Sequence, residues 1–475
     1  MELSLLLEQN RFWEDRAALK SDPHIKALSV SPLKITHPAA GRISLNEDRV
    51  YIIRGPRQVG KTTLLKATIK KLLDKNIDPR RVLYFAFDIG GIKDNRDVLD
   101  LLKTYLGWIR RYTHKRVWIL LDEVTYTPDW STGVKAAFDL GILGNATLVA
   151  TGSSSIDLKK GGDRLPGRRG IEPEKNDIEM LPLSFRSFLA SVQPGIEIPT
   201  ISGFSCGDIH DTVTQISFHG NIIKRAFEIY LICGGYPLSM VSYHKDEKID
   251  ESVFYTYLQT ILGDIAKGGK REIYSRELLY ALISKRFEPV TWDVITQMTS
   301  IGSHNTVAEY IDFFEASFVL KSLYQTKSLG GRDISFRKRR KVYFIDPFTF
   351  HTLNAWCGGS PDSFATTRKI LTDSAIKGRI AENVIGIHLI RYFHSVLFWR
   401  NKCEIDFICI KERSPYLYIE SKHQPIITSD DKVGLKKVGG GVILSRDTLA
   451  FDETNNIAIL PVSYFLAGLE EEGKD

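Results

Sequence analysis

A glycine-rich loop at residues 55–62, with the sequence Gly-Pro-Arg-Gln-Val-Gly-Lys-Thr, has the residue types and spacing most specific for chemistry. It fits the pattern GxxxxGK[ST], following an apolar run at 50–53 and preceding a segment of helical period at 62–73. Gly55 and Gly60 let backbone N–H groups turn toward phosphate oxygens, next to the positive end of a helix. The loop therefore predicts a nucleotide phosphate site.

The charged and hydroxyl side chains expected around such a loop are also present. Lys61 would reach the β- and γ-phosphates, and Thr62 would give its hydroxyl to Mg²⁺. A second apolar run, 117–121, ends in Asp122 and Glu123. Asp122 would orient Mg²⁺ through its waters and Glu123 would polarise the attacking water, whereas a surface acidic pair is the alternative. We predict ATP hydrolysis with Mg²⁺, with nucleotide contacts from Gly55, Pro56, Arg57, Gln58, Val59, Gly60, Lys61, Thr62 and Thr63.

The strand predicted at 146–150 is followed by hydroxyl side chains, among them Thr151 and Ser153. A polar residue here can contact the γ-phosphate or the attacking water; hydroxyls that only satisfy a strand-to-helix turn are the alternative. Further along, Arg168 and Arg169 are candidates for an arginine finger or are solvated loop residues. Thr151 and Arg168 complete the predicted nucleotide contacts.

Two acids and a lysine near the carboxyl end follow the pattern Asp…Glu-x-Lys. A turn centred near residue 413 would place Asp406 opposite Glu420 on adjacent antiparallel strands, about 5 Å apart at Cα. Lys422 stands two residues further and would share the face of Glu420. Glu382, in an amphipathic helical segment, is a plausible third acid. These side chains would meet at one place.

Such a cluster suits Mg²⁺, which prefers one or two carboxylates with water and phosphate oxygens. The predicted metal ligands are Glu382, Asp406 and Glu420, and Lys422 would position the water or stabilise developing charge. Asp406, Glu420 and Lys422 are therefore candidate catalytic residues of a nuclease. A structural salt-bridge network without catalysis is the alternative.

The chain has 64 basic and 57 acidic residues, a net charge of +7, and part of this excess is clustered. Residues 337–341 form an unbroken basic run, and Lys267, Lys270 and Arg271 form a second cluster. Clustered positive charge binds phosphate backbones through counterion release, whereas a solvated loop is the alternative. DNA is the predicted partner, bound through the run 337–341.

The residues around this run follow a helix–turn–helix pattern. Helical periods at 292–299 and 305–318 are joined by a short glycine-containing turn, and strands near 319–324 and 342–345 would form a wing. The recognition helix would start at His304. Small helical folds of this kind also serve only for protein packing, which is the alternative.

Taken together, the motifs resemble a family of prokaryotic, often archaeal, AAA+-type ATPases that join a P-loop module to a winged helix and a restriction-endonuclease-like, PD-(D/E)xK domain. The resemblance covers roughly residues 45–425 and also includes Leu165-Pro166-Gly167-Arg168, Leu181-Pro182-Leu183-Ser184-Phe185-Arg186 and Gly234-Gly235-Tyr236-Pro237. It implies the fold and an ATPase. With the basic run and the acidic cluster, the leading hypothesis is an ATPase that remodels or processes DNA. A nucleotide-dependent regulatory switch, with a non-catalytic carboxyl-terminal binding module, is the alternative.

Continuous apolar runs that alternate with helical segments predict a parallel sheet covered on both faces. The predicted fold class is α/β, with a P-loop parallel sheet of AAA+ type, a helical lid, a winged helix and an α/β nuclease-like domain. The predicted boundaries are 1–45 for an irregular extension, 46–182 for the ATPase domain, 183–285 for the lid, 286–345 for the winged helix and 346–475 for the nuclease-like domain.

The five cysteines show no CxxC pair and no neighbouring His cluster, which argues against a zinc site or a disulfide framework. No run approaches the ~18 apolar residues of a membrane span, and the amino terminus has an acid where a signal peptide carries basic residues. We therefore expect a cytoplasmic protein that does not enter a membrane. The sequence leaves open whether copies of the chain assemble into a homo-oligomer.

Overall fold

The computed structural model describes residues 2–89, 91–152, 158, 176–331, 333–401, 403–411 and 414–470. The chain divides into two units, Met1–Leu181 and Pro182–Asp475. The segments predicted as lid, winged helix and nuclease-like domain therefore lie together in the second unit.

The amino-terminal unit is built on a parallel sheet of five strands, in the order β2-β3-β4-β1-β5. The strands are β1 (Val50–Arg54), β2 (Val82–Ala86), β3 (Val117–Asp122), β4 (Ala146–Thr151) and β5 (Asp177–Glu179). Every residue of β2, β3 and β4 is buried. The apolar runs thus form strands covered on both faces, as predicted.

The helices of this unit are α1 (Leu3–Gln9), α2 (Pro23–Val30), α3 (Lys61–Asp74), α4 (Asn95–Ile109) and α5 (Trp130–Asp139). The segment predicted as an irregular extension, 1–45, thus contains two helices. It is also tied to β2: the Asn10 amide accepts from the Tyr84 N–H and donates to its carbonyl, both at 2.8 Å. The Gln9 amide does the same at Ala86, at 2.8 and 3.4 Å. Because β2 is an edge strand, these amides satisfy backbone groups that lack a strand partner.

The carboxyl-terminal unit begins with a helical region, as predicted for 183–285. Its helices are α6 (Phe185–Val192), α7 (Cys206–Ile216), α8 (Gly220–Cys233), α9 (Pro237–Asp246), α10 (Glu251–Lys267) and α11 (Glu272–Ser284). The turn after α8 requires glycine at 234, which has φ +60° and where a Cβ would lie 1.9 Å from an Asp346 oxygen. The same carboxylate accepts from the Gly235 N–H at 2.8 Å.

Two helices and a hairpin follow, in the order expected from the sequence. They are α12 (Trp292–Gln297), α13 (His304–Ala316), β6 (Leu320–Thr326) and β7 (Ile334–Phe344). The Ser303 hydroxyl caps α13 by accepting from the Asn305 N–H. Val290 forms an antiparallel bridge with Arg340, so a third short extended segment joins the hairpin.

The remaining elements are α14 (Pro347–Gly358), α15 (Ser363–Thr372), α16 (Ser374–Tyr392), β8 (Ser395–Arg400), β9 (Glu404–Lys411), β10 (Ser414–Lys422), α17 (Val433–Lys436), β11 (Gly441–Ser445), β12 (Ala450–Asp452), β13 (Ile457–Pro461) and α18 (Val462–Gly468). Their strands join the hairpin in one sheet of order β12-β13-β11-β10-β9-β8-β6-β7. The junction is the parallel pairing of Tyr324 in β6 with Leu397 in β8. One sheet therefore runs across the boundary predicted at 345.

Candidate functional sites

The phosphate-binding loop connects β1 to α3, and its two glycines are required for different reasons. Gly60 precedes α3 with φ +106°, a conformation that favours glycine. Gly55 has no room for a side chain, because a Cβ would lie 2.0 Å from the carbonyl oxygen of Met180. The loop thus depends on close backbone packing as well as on backbone freedom.

Lys61 is the first residue of α3 and is 6% exposed. Its ammonium donates to the carbonyl oxygens of Gly55 at 2.9 Å and Pro56 at 2.8 Å, both within the loop. Both acceptors are neutral backbone oxygens. An anionic phosphate would bind this ammonium more strongly than two carbonyls do.

Asp122 ends β3 and receives hydrogen bonds on both carboxylate oxygens. Oδ1 accepts from the Thr151 hydroxyl and from the Glu123 N–H at 3.1 Å, and Oδ2 accepts from the Tyr84 hydroxyl at 3.0 Å. Burial, with the nearby charge of Asp122, raises the pKa of Tyr84 above its ordinary value. Thr151, taken from the sequence as a nucleotide contact, thus has a hydroxyl engaged with Asp122. Glu123 follows with a left-handed backbone, φ 50°.

The amino-terminal segment reaches the helix that begins at the loop, which no sequence motif indicated. His24 Nδ1 lies 3.0 Å from the Thr63 hydroxyl. Lys66 pairs with Asp22 at 3.2 Å, and its ammonium lies 3.4 Å from the centre of the Tyr84 ring. Burial lowers the pKa of Lys66, against the raising effect of Asp22. Two-residue contacts between distant segments leave no periodic signal, so only the structure reveals them.

Three of the residues considered for the nucleotide site, Ser153, Arg168 and Arg169, lie outside the described residues. The nucleotide contact predicted for Arg168 therefore stays a prediction. The structure describes the loop residues, Asp122, Glu123 and Thr151. They lie at the carboxyl ends of β1, β3 and β4, three neighbouring strands of the same sheet.

The second predicted site lies where β9 and β10 pair antiparallel. Phe407 stands opposite Ile419, which is the register that the sequence predicted for the neighbouring Asp406 and Glu420. Nearer the turn, Ser414 pairs with Lys411, one residue off the predicted register, and an irregularity between Pro415 and Leu417 makes up the difference.

A lysine that was assigned to the DNA-binding run stands among these carboxylates. Lys341 Nζ lies 2.7 Å from Asp406 Oδ1, 3.0 Å from Glu382 Oε1 and 3.2 Å from Glu404 Oε1, and its side chain is 1% exposed. The prediction that the whole run 337–341 binds DNA is wrong for Lys341, because its charge is buried and paired. The missed signal was the alternation of strand β7, which places Lys341 on the same side as the buried Tyr343.

The pKa values of Asp406 and Glu420 are shifted in opposite directions. Burial alone would raise the pKa of Asp406, but Lys341 and the hydrogen bonds around the carboxylate together hold it below its ordinary value. Burial, reinforced by the charge of Asp406, raises the pKa of Glu420 to about 10. Lys422 Nζ is 3.7 Å from Glu420 Oε2. The two carboxyls therefore titrate as a pair, of which Asp406 is the more acidic member.

The donor set does not fit the Mg²⁺ ion predicted for this place. The ammonium of Lys341 occupies the point where the carboxylates of Glu382, Glu404 and Asp406 converge, so a second cation has no room there. Over the part of the chain that the structure describes, no group of three or more His, Cys, Asp or Glu side chains has the arrangement of a metal site.

The rest of the basic run is divided between solvent and aromatic neighbours. Lys338 and Arg339 are exposed. The Arg340 guanidinium lies 4.8 Å from the ring centre of Trp292 and 4.6 Å from that of Tyr324, a cation–π arrangement. Nothing is described of the side chain of Arg337. Among the described side chains of this run, Lys338 and Arg339 are the ones exposed to a partner.

Two expectations about the whole chain can be compared with the structure. The five cysteines are free thiols. In the described ranges, no helix combines the length and apolar character that a bilayer crossing requires.

Comparison with known proteins supports the assignment of the amino-terminal unit. Residues 47–189 match the model of an AAA domain, and residues 224–358 match a domain of unknown function. An uncharacterized protein of Methanocaldococcus jannaschii is 24% identical over 449 residues, covering 89% of this chain and 86% of that protein. An uncharacterized protein of Haemophilus influenzae is 22% identical over 384 residues, covering 78% of this chain and 82% of that protein.

The solved Walker-type ATPase of Pyrococcus abyssi is 11% identical, with a TM-score of 0.41, covering 68% of this chain and 96% of that one. The AAA-domain match and the parallel sheet with its phosphate-binding loop support a P-loop ATPase that binds ATP.

Proposed function

We propose that this chain hydrolyses ATP in the presence of Mg²⁺ and that its carboxyl-terminal unit binds DNA. The observation that carries the first part is the ammonium of Lys61 at the start of α3, which donates to the loop carbonyls of Gly55 and Pro56, together with the hydrogen-bonded Asp122 at the end of β3. Steady-state phosphate release by the purified chain, with and without Mg²⁺, tests it.

The residues in and around the loop have separate parts in this reaction. Lys61 binds the β- and γ-phosphates, and Thr62 and Asp122 are hard oxygen donors suited to Mg²⁺. When bound, Mg²⁺ would neutralise charge that develops on the phosphates. Tyr84 and Thr151 fix the orientation of the Asp122 carboxylate by donating to it. Glu123 accepts a proton from the attacking water.

The DNA-binding part of the proposal rests on the hairpin and the helix before it. Exposed Lys338 and Arg339 lie on β7, and α13 begins at His304 after a serine cap. Positive groups on a strand beside a helix–turn–helix suit contacts to a phosphate backbone. Binding of a labelled duplex at several salt concentrations tests this part, since phosphate contacts give a steep salt dependence.

Metal-dependent DNA cleavage is the second candidate function, favoured by the convergence of Asp406 and Glu420 on paired strands with Lys422 beside them. It would be checked by nicking of plasmid and four-way-junction DNA with Mg²⁺ or Mn²⁺, compared with the Asp406→Ala variant. The burial of Lys341 among the same carboxylates weighs against it.

A further inference from the structure

The ammonium of Lys341 is fixed by the register of a sheet. In β7, Lys341 stands opposite Leu323 and Tyr343 stands opposite Lys321, so both side chains point to the same side. Tyr343 donates its hydroxyl to the Glu382 carboxylate at 2.9 Å, beside the lysine. Arg340, one residue away, faces the rings of Trp292 and Tyr324 instead. A slip of one residue would remove the cation from the acids.

The carboxylates around Lys341 already have their second oxygens engaged. Glu382 Oε2 accepts from Arg379 at 3.0 Å, and Asp406 Oδ2 accepts from the Ser421 N–H at 2.9 Å. Glu404 lies within 3.7 Å of Arg400 as well as 3.2 Å from Lys341. The negative charge of these three carboxylates is therefore balanced by cations and N–H donors of the chain itself.

One carboxylate oxygen of the cluster, Glu420 Oε2, has no hydrogen-bond donor among the described residues. Glu420 is 3% exposed, and Lys422 Nζ lies 3.7 Å from this oxygen. This oxygen lies on the strand next to Asp406.

A divalent ion and Lys341 cannot share this place. Mg²⁺ binds carboxylate oxygens at about 2.0–2.1 Å, whereas the ammonium lies between the oxygens of Asp406, Glu382 and Glu404 at 2.7–3.2 Å. A metal between the same oxygens would overlap the ammonium and repel its charge. Occupation by one cation therefore excludes the other.

We propose that Lys341 is the resident cation of this carboxylate cluster, where it excludes divalent metal and fastens β7 to α16 and β9. The site acquires affinity for a divalent ion only when Lys341 is removed. The inference goes beyond ATP hydrolysis and concerns the carboxyl-terminal unit alone. It makes Lys341 the residue that determines which cation this fold accepts.

The direct test is Mn²⁺ binding to the full chain without nucleotide, followed by electron paramagnetic resonance. Lys341→Ala should bind one Mn²⁺ ion at this cluster, and wild type should bind it at least tenfold more weakly. Lys341→Ala/Asp406→Asn should lose that ion, and Lys338→Ala, an exposed lysine of the same strand, should behave as wild type. A wild-type ion bound as tightly as that of Lys341→Ala, or no gain in Lys341→Ala, would overturn the proposal.

Thermal unfolding supplies a second measurement, which also applies if Lys341→Ala folds poorly. Removing one partner of a buried ion cluster is strongly destabilising, so the variant should unfold about 10 °C lower. Mn²⁺ should restore most of that loss in Lys341→Ala and leave the midpoint of Lys338→Ala unchanged. A variant as stable as wild type, or one that Mn²⁺ does not stabilise, contradicts the proposal. ATP turnover is measured in parallel, so failure of the ATPase assignment is seen separately.

Discussion

Two buried lysines of this chain, Lys61 and Lys341, have opposite surroundings. Lys61 is 6% exposed and donates to two backbone carbonyls of its own loop. Lys341 is 1% exposed and lies against three carboxylates. The carbonyl partners of the first are neutral oxygens, which an anionic ligand can replace. The second has anionic partners, so its charge is already compensated within the fold.

The difference shows that burial of a charged side chain does not by itself indicate catalysis. What matters is whether the partners of that charge are neutral groups that a ligand can outcompete, or ions that complete the pair. By this criterion we expect the loop of the amino-terminal unit to bind an anionic ligand and the acid cluster of the carboxyl-terminal unit to be structural. The experiments below test each half of the comparison.

The largest effect is expected from Lys61→Ala. Loss of the ammonium removes the positive charge at the β- and γ-phosphates, so kcat for ATP should fall by at least about 100-fold. Lys71→Ala, an exposed lysine of the same helix, is the matched control and should keep the wild-type rate. Comparable turnover by Lys61→Ala would remove the basis for calling this lysine a ligand-binding group.

Glu123→Gln should separate binding from hydrolysis at the same site. The amide keeps the shape of the side chain but loses its basicity, so turnover should drop about 10²–10⁴-fold while ATP binding is retained. Fluorescent-nucleotide titration and phosphate release measure the two properties independently. If the variant hydrolyses ATP at the wild-type rate, another group activates the water.

The carboxyl-terminal unit should lose stability on acidification, because it buries neutral histidine. His388 Nε2 accepts from the Phe185 N–H at 2.8 Å, and burial lowers the pKa of His388 to about 3. The unfolded chain binds this proton near pH 6.5, so the free energy of unfolding should fall as pH drops from 6.5, by about 1.4 kcal/mol per unit. His388→Gln, whose amide oxygen can accept the same hydrogen bond, should show a pH slope smaller by one proton. Equal slopes in chemical denaturation would contradict this.

Lys338→Ala/Arg339→Ala tests whether the solvent-facing part of the basic run serves DNA. Loss of two phosphate contacts should flatten the slope of log K against log salt by about 1.8. Arg340 and Lys341 are left intact, since one stacks on rings and the other is buried. Lys245→Ala, at an exposed lysine of α9, serves as the control. An unchanged slope in the double variant would locate the DNA surface elsewhere.

The smallest effect is expected from Tyr84→Phe, which removes one hydrogen bond to Asp122. A bond of this kind contributes about 1 kcal/mol, so turnover at limiting Mg²⁺ should fall about fivefold, with recovery at high Mg²⁺. Tyr105→Phe is the matched control, because its hydroxyl donates to the Arg80 carbonyl instead. Equal effects of the two variants would mean that only packing is involved.

The sequence predicted best what depends on local patterns. The loop, the strands on either side of it and the register of Asp406 against Glu420 follow from spacing and alternation along the chain. Lys341 was assigned to solvent because the basic run was treated as one charged segment, without the alternation of β7 that puts Lys341 on the side of Tyr343. Its burial depends on the pairing of β6 with β8, a contact between residues far apart in sequence. The contact of His24 with Thr63 was missed for the same reason.

The side-chain amides of Gln9 and Asn10 on β2 have a consequence for solubility. An open strand edge is a template on which a second copy can add its own strand. Here the chain fills the hydrogen-bonding positions of Tyr84 and Ala86 with amides that cannot be extended into a further strand. The first ten residues thus block the addition of a strand at the edge of β2. A chain shortened by them would self-associate more readily as its concentration rises.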